Sequence, residues 1–163
     1  MAIEIERKFL IRLPVLDNVP DCRVRKITQT YLKEIPGKSV ERRVRRIEED
    51  GQVSYVFTKK EKLTKMSRIE NEWEISEAEY REYLTEAYST LDKTRYSFPY
   101  ENHVMEIDVY PYEIGGEGLR DRAVLEVELE DEKEAFAVPD FIEIERELTG
   151  TKEFSNKTLA KRI

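Results

Sequence analysis

The chain has 163 residues, enough for one domain (1–163) with its own core, and 39% are charged against 39% apolar. Acids outnumber bases 35 to 28, a net charge of −7 that argues against nucleic acid or an anionic membrane as a partner. A lone Cys22 excludes a disulfide framework or thiolate cluster, no apolar run reaches membrane-spanning length, and the charged opening is not a signal peptide, so a cytoplasmic protein is expected.

Strand signals dominate the chain in order. Glu4-Ile5-Glu6-Arg7-Lys8-Phe9 reads as a strand with Glu4, Glu6 and Lys8 on one face. Ile3, Ile5, Phe9 and Ile11 share the other face, with Arg7 among them. After breaks at Pro14 and Pro20, Arg23 to Leu32 is rich in Val, Ile, Thr and Tyr and predicts a second strand. Pro36-Gly37 predicts a turn, and Ser39 to Glu48 places Arg43 and Arg45 on one face. Asp50-Gly51 is a hairpin signal leading into Val53 to Lys60, where Thr58 and Lys60 oppose Tyr55 and Phe57.

Met66 to Ile75 alternates most clearly. Arg68, Glu70, Glu72 and Glu74 face one way, and Ile69, Trp73 and Ile75 face the other. Ser76 to Glu79 has capping-box spacing and predicts a helix to about Tyr88. Ser89 to Phe98 returns to strand with Lys93 and Arg95 as same-face neighbours; Val104 to Tyr110 sets Glu106 and Asp108 against Met105, Ile107 and Val109. Gly115 to Gly118 reads as a loop, and Ala123 to Glu130 sets Glu126, Glu128 and Glu130 against Leu125, Val127 and Leu129. A helical piece near Glu132 to Val138, a short strand around Ile142 to Leu148 and a terminal helix after Gly150 complete the reading.

One pattern recurs: two like charges at i and i+2 on a strand face, backed by apolar residues. Acidic pairs are Glu4/Glu6, Glu70/Glu72, Glu106/Asp108 and Glu126/Glu128; basic pairs are Arg43/Arg45 and Lys93/Arg95, with Lys8 and Lys60 as single cations. Charges about 7 Å apart repel by roughly 2 kcal/mol at an effective dielectric of about 20, but by only about 0.6 in open water. On a wet face such pairs are nearly harmless. In a shared interior they require opposite charge from other strands or from a ligand. About eight antiparallel strands can close into a barrel, and pattern alone leaves a barrel with charges inward evenly matched with a sandwich whose outer faces are charged.

The residues resemble the CYTH superfamily, also called triphosphate tunnel metalloenzymes. Glu4-Ile5-Glu6-Arg7-Lys8 reproduces its ExExK signature. The likeness continues through Gln29-Thr30-Tyr31-Leu32, Arg43/Arg45, Thr58 with Lys60, and Arg68 with Glu70 and Glu72. It goes on through Lys93/Arg95, Asp108, Gly118-Leu119, Glu126-Val127-Glu128, Asn156 and Leu159-Ala160, in the family's order and across essentially the whole chain. The length and opening look most like the small bacterial members.

The resemblance implies a mainly β, α+β fold: an eight-stranded antiparallel closed barrel, a tunnel with a charged interior and flanking helices. It implies a small-molecule triphosphate substrate gripped by Arg43, Arg45, Lys60, Lys93 and Arg95, with Lys8 assisting. Glu4, Glu6, Glu126 and Glu128, with Asp108, would hold Mg2+ or Mn2+, and Glu4, Glu6 and Lys8 would be catalytic. Arg68, Glu70, Glu72 and Lys157 are further candidates, and the acidic frame on that strand could be Glu70/Glu72 or Glu72/Glu74. Lys60 is chosen over Lys59 and Lys62 by parity and its spacing from Thr58. Hydrolysis of inorganic tripolyphosphate leads. Adenylate cyclase and thiamine or nucleoside triphosphatase activity are alternatives, and a non-catalytic polyphosphate- or nucleotide-binding module is the alternative of another class. A homodimer is compatible with the family, though no residues mark an interface. His103, Trp73 and the tyrosines read better as ordinary surface and packing residues than as ligands.

Overall fold

The computed structural model describes residues 2–163, and its order of elements follows the alternation of the sequence. The strands are β1 (Ala2–Arg12), β2 (Arg23–Leu32), β3 (Glu41–Glu49), β4 (Gln52–Lys62), β5 (Ser67–Ile75), β6 (Ala87–Tyr100), β7 (His103–Val109), β8 (Arg122–Leu129), β9 (Ile144–Glu147) and β10 (Lys161–Arg162). Helices are short: α1 (Glu77–Tyr83), α2 (Tyr112–Gly115) and α3 (Asn156–Leu159).

Every pairing among β1 to β8 is antiparallel, and the contact between β6 and β7 joins the two ends of the path into a closed eight-stranded barrel. The β3–β4 hairpin turns at Asp50 and Gly51, with φ of 52° and 77°, the left-handed pair that a two-residue turn between right-twisted strands needs. β1 is shared. Its first half pairs with β5 from Ala2 to Ile5, and its second half takes β9 from Phe9 to Ile11 along the same edge. The handover is covered by Glu6 N–H donating to Met66 C=O at 3.2 Å and Leu148 N–H donating to Lys8 C=O at 2.8 Å.

The apolar faces lie outside the barrel wall, where loops and helices cover them. One cluster, with Phe9, Ile11, Met105, Ile107, Leu125 and Val127, is roofed by Leu16, Val19, Phe136, Val138 and Ile142. A second, with Val44, Phe57 and Ile75, is roofed by Tyr80 and Tyr83 of α1. Leu10, Val124 and Tyr110 have the parity of the lumen and join Leu119, Leu148, Phe154 and Leu159, closing the interior with apolar side chains on that side. Each fully buried aliphatic side chain stabilises by about 1.5–3 kcal/mol, so an inside-out barrel still has a core: it lies around the tunnel.

Four expectations need correction. Residues 132–138 form no helix: Glu134 accepts from Glu130 N–H, Asp131 accepts from Lys133 N–H, and Phe136 packs on Phe9, so local side-chain bonds and a tertiary contact outweigh propensity. α1 ends at Tyr83, followed by a single 3-10 turn, because Ala87 is already paired with Leu32 of β2. The Gly115 to Gly118 segment is not an open loop but α2 running into a 3-10 turn. The terminal helix is one turn, capped by Ser155, before β10 pairs with β6.

Candidate active site

Around the ring, β6, β2, β3 and β4 stand side by side, and β5, β1, β8 and β7 complete the circle. The first group sends Lys93, Arg95, Arg25, Arg43, Arg45 and Lys60 into the lumen; the second sends Glu70, Glu72, Glu4, Glu6, Glu126, Glu128 and Glu106, with Lys8 the one cation among them. The lumen of about 150 Å³ is thus walled by seven carboxylates and seven cations, plus the amides of Gln29 and Asn156. Strand parity produces this sorting: each doublet at i and i+2 points inward, and the ring order gathers basic strands on one side and acidic strands on the other.

Ion pairs cross between the two half-walls. Lys60 Nζ is 3.0 Å from Glu4 and 3.5 Å from Glu70. Arg45 donates to Glu72, which also accepts from Thr58 Oγ1 at 3.1 Å. Within the acidic half-wall, Lys8 Nζ stands 3.5 Å from Glu6 and 3.7 Å from Glu126. Arg95 reaches Glu106 at 3.3 Å and Glu126 at 3.4 Å. Arg25 donates to Ser97 Oγ at 2.7 Å and lies 3.4 Å from Glu106. The Nε groups of Arg25, Arg43 and Arg45 are buried with no acceptor among the described residues, so the basic half-wall keeps donors in hand for a ligand with many oxygens.

The acidic half-wall holds an excess of like charge. Glu6 sits directly opposite Glu128 between β1 and β8, and Glu106 opposite Glu126 between β7 and β8. Unit charges about 5 Å apart repel by roughly 3 kcal/mol at an effective dielectric of about 20. Burial first, then Glu126, pushes the Glu6 carboxyl up to about 7. Burial and the charges of Glu106 and Glu4 push Glu128 up to about 7 as well, although it stands at the exposed rim. Glu126 moves the other way: burial would raise it, but Lys8, Arg95 and Lys93 together hold it well below the usual range. On the basic side, burial and neighbouring arginines lower Arg45 to about 9 and Lys93 to about 7.

Carboxylates crowded this way are an oxygen-only donor set, the chemistry that Mg2+ and other hard divalent cations prefer. Among the described residues no three such side chains converge into a ready-made cage. That fits a cation held by one or two carboxylates and completed by ligand oxygens, as Mg2+ with phosphates commonly is.

Of the residues singled out from sequence, Glu4, Glu6, Lys8, Arg43, Arg45, Lys60, Glu70, Glu72, Lys93, Arg95, Glu126 and Glu128 all line this one lumen, and Glu74 does not. Asp108, expected among the metal ligands, shares the inward parity of Glu106 but is fully buried against Lys93 and Arg95. One oxygen accepts from Arg95 Nε at 2.7 Å, and the other from Lys93 Nζ at 2.8 Å and a second Arg95 nitrogen at 2.9 Å. Arg68 and Lys157 line a neighbouring cavity instead. Sequence reasoning missed Arg25, Glu106, Gln29 and Asn156 as lumen residues. Parity with Tyr31 could have found Gln29 and Arg25, and the acidic pair with Asp108 already contained Glu106. Gln29 Nε2 donates to Tyr31 OH at 2.7 Å.

No family model matches the chain, and no curated protein matches it. Solved structures do. The inorganic triphosphatase NE1496 is 27% identical over 98% of this chain and 95% of its own, with a TM-score of 0.58. At lower identity the fold alone is shared. A putative adenylate cyclase from Bacillus halodurans is 18% identical over 82% of this chain and 84% of its own, with a TM-score of 0.52. The protein PH1819 from Pyrococcus horikoshii is 20% identical over 80% of each chain, with a TM-score of 0.54. The closed tunnel, the opposed acidic and basic half-walls and this full-length likeness are consistent with the CYTH superfamily that the sequence resembles.

Proposed function

We propose that the chain hydrolyses the terminal phosphoanhydride of a triphosphate, with inorganic tripolyphosphate as the leading substrate and Mg2+ or Mn2+ as cofactor. The observation that carries this reading is the sorting of seven cations against seven carboxylates in one narrow lumen. A simple anion binder needs the cations and is penalised by the carboxylates. A site for an anion that arrives with divalent cations needs both. The full-length likeness to a protein described as an inorganic triphosphatase supports the same reading.

In this reading Arg43, Arg45, Lys60, Lys93 and Arg95 donate to phosphate oxygens, with Lys8 and Arg25 beside them; guanidinium forks suit the paired oxygens of each phosphate. One or two of Glu4, Glu6, Glu126 and Glu128 would hold each cation, which when bound would neutralise phosphate charge and lower the pKa of a coordinated water. Asp108 leaves the metal set and orients Lys93 and Arg95, since both its oxygens are taken. Water attacks the terminal phosphorus, the bridging P–O bond breaks, and orthophosphate and pyrophosphate leave. The walls supply alignment and charge compensation, which is most of what phosphoryl transfer asks of a protein. A cytoplasmic setting goes with the free thiol of Cys22. None of the described helices is long and apolar enough to cross a membrane.

The test is a panel of tripolyphosphate, ATP and thiamine triphosphate with Mg2+, Mn2+ or EDTA. Phosphate release from tripolyphosphate that stops in EDTA is expected, and Glu4→Gln or Glu6→Gln should abolish it. Cyclic AMP with pyrophosphate would make the chain a cyclase, and tight binding without turnover would make it a binding module.

A further inference from the structure

A larger cavity of about 920 Å³ adjoins the lumen and shares Lys60 with it. Nine of its lining residues are Lys or Arg, and two are Glu. Arg42, Lys60 and Lys157 pair with Glu86, Glu4 and Glu34. Among the described residues, Lys33, Lys38, Lys62, Arg68, Lys152 and Arg162 are in no ion pair, although the chain as a whole carries a net charge of −7. Six unpaired cations around one cavity repel each other and attract anions from solution.

The position of this vestibule gives it a direction. β5 leads from Arg68, in the vestibule, to Glu70 and Glu72, which line a separate cleft of about 460 Å³ together with Glu4 and Glu128. An anionic chain that continues beyond the lumen is drawn to the first opening and repelled from the second. Charges spread over a wide cavity suit a ligand whose own charge is spread along its length.

Building on the triphosphatase reading, we propose that the vestibule binds the further phosphates of a linear polyphosphate whose terminal units occupy the lumen, so that chains longer than tripolyphosphate are substrates. Each turnover forms a bond from water oxygen to the terminal phosphorus and breaks the terminal P–O–P bridge. Orthophosphate leaves, a proton passes to solvent, and the remaining chain is one unit shorter.

The experiment compares tripolyphosphate with polyphosphate of several tens of units, using the full chain with Mg2+ and the triple variant Lys33→Ala, Lys38→Ala, Lys152→Ala. The expected result is a KM for the long chain raised about tenfold, with kcat and KM for tripolyphosphate within about twofold of the unmodified protein. The proposal is overturned if the unmodified protein cleaves tripolyphosphate but not the long chain, or if the variant shifts KM for both equally. It is also overturned if KM rises for ATP and not for polyphosphate, since the vestibule would then hold the organic part of a nucleotide. Failure of the unmodified protein to cleave tripolyphosphate would instead count against the underlying triphosphatase reading. Calorimetric titration of the long chain into both proteins in EDTA would then judge the vestibule: weaker binding by the variant supports it, and equal binding overturns it.

Discussion

Glu6 is 5% exposed and lies close to Glu126 and Glu4, so its negative charge is held against both desolvation and repulsion. Its carboxyl rises from 4.5 to about 7, which corresponds to roughly 3 kcal/mol against the ionised form. Between those two values the folded chain keeps a proton that the unfolded chain has released, so stability in EDTA should fall as pH rises through that window. Glu6→Gln should flatten the slope and raise the Tm of the metal-free protein by several degrees at pH about 8, while abolishing turnover. Thermal melts across pH check this, and a variant less stable than the parent at high pH would show that Glu6 is already neutralised by Lys8. At this scale much of the site was legible, because like charges two apart on a strand must share a face. Arg25 was passed over: Arg23 and Arg25 share one face of β2, but Lys26 puts a cation on the other face as well, so the strand shows no single charged side. Asp108 looked equivalent to Glu106. Only the register that sets Arg95 opposite Asp108 fills its oxygens with Arg95 and Lys93, and register between distant strands is not written in one sequence.

Among the elements, α1 acts as a cover and not as a part of the site. Its capping box is complete: Ser76 Oγ accepts from Glu79 N–H at 3.1 Å, and Glu79 accepts from Ser76 N–H at 3.0 Å. Tyr80 and Tyr83 lay the helix over Phe57 and Val44 on the outer face of β3 and β4. Ser76→Ala should cost about 1 kcal/mol, lowering Tm by about 2–4 °C, and should leave triphosphate turnover unchanged because nothing in the lumen touches α1. Chemical denaturation alongside a phosphate-release assay reads both, and a parallel loss of activity would mean that the helix braces the lumen. The barrel strands were legible for the reason the cap was: each is a local pattern, alternation bounded by Asp50-Gly51, Pro36-Gly37 or the Ser76 cap. The 131–138 segment was not, because its conformation answers to Phe9 and to His103, which pairs with Glu134 from a strand far away in the chain.

For the whole molecule, the decisive quantity is the charge balance of the lumen. With seven carboxylates facing seven cations, an anion entering alone would displace Arg45 and Lys60 from Glu72, Glu4 and Glu70 and leave the part-buried Glu4 and Glu70 without their cation. A divalent cation entering alone would have the mirror problem with the arginines. Arriving together, phosphates take the cations and the metal takes the carboxylates, so every broken pair is replaced. Binding should therefore be cooperative, and the coupling must be reciprocal. Calorimetry with the turnover-deficient Glu4→Gln would be misleading, since it removes one of the coupled charges. The cleaner system is the intact protein with a non-hydrolysable imido-linked tripolyphosphate. Its affinity is expected to rise about 100-fold with saturating Mg2+, a coupling of about 2.7 kcal/mol, and Mg2+ affinity should rise by the same factor when the analogue is present. Equal affinities with and without Mg2+ would mean that the basic half-wall binds phosphate without help, and that the acidic half-wall serves only to hold the arginines in place.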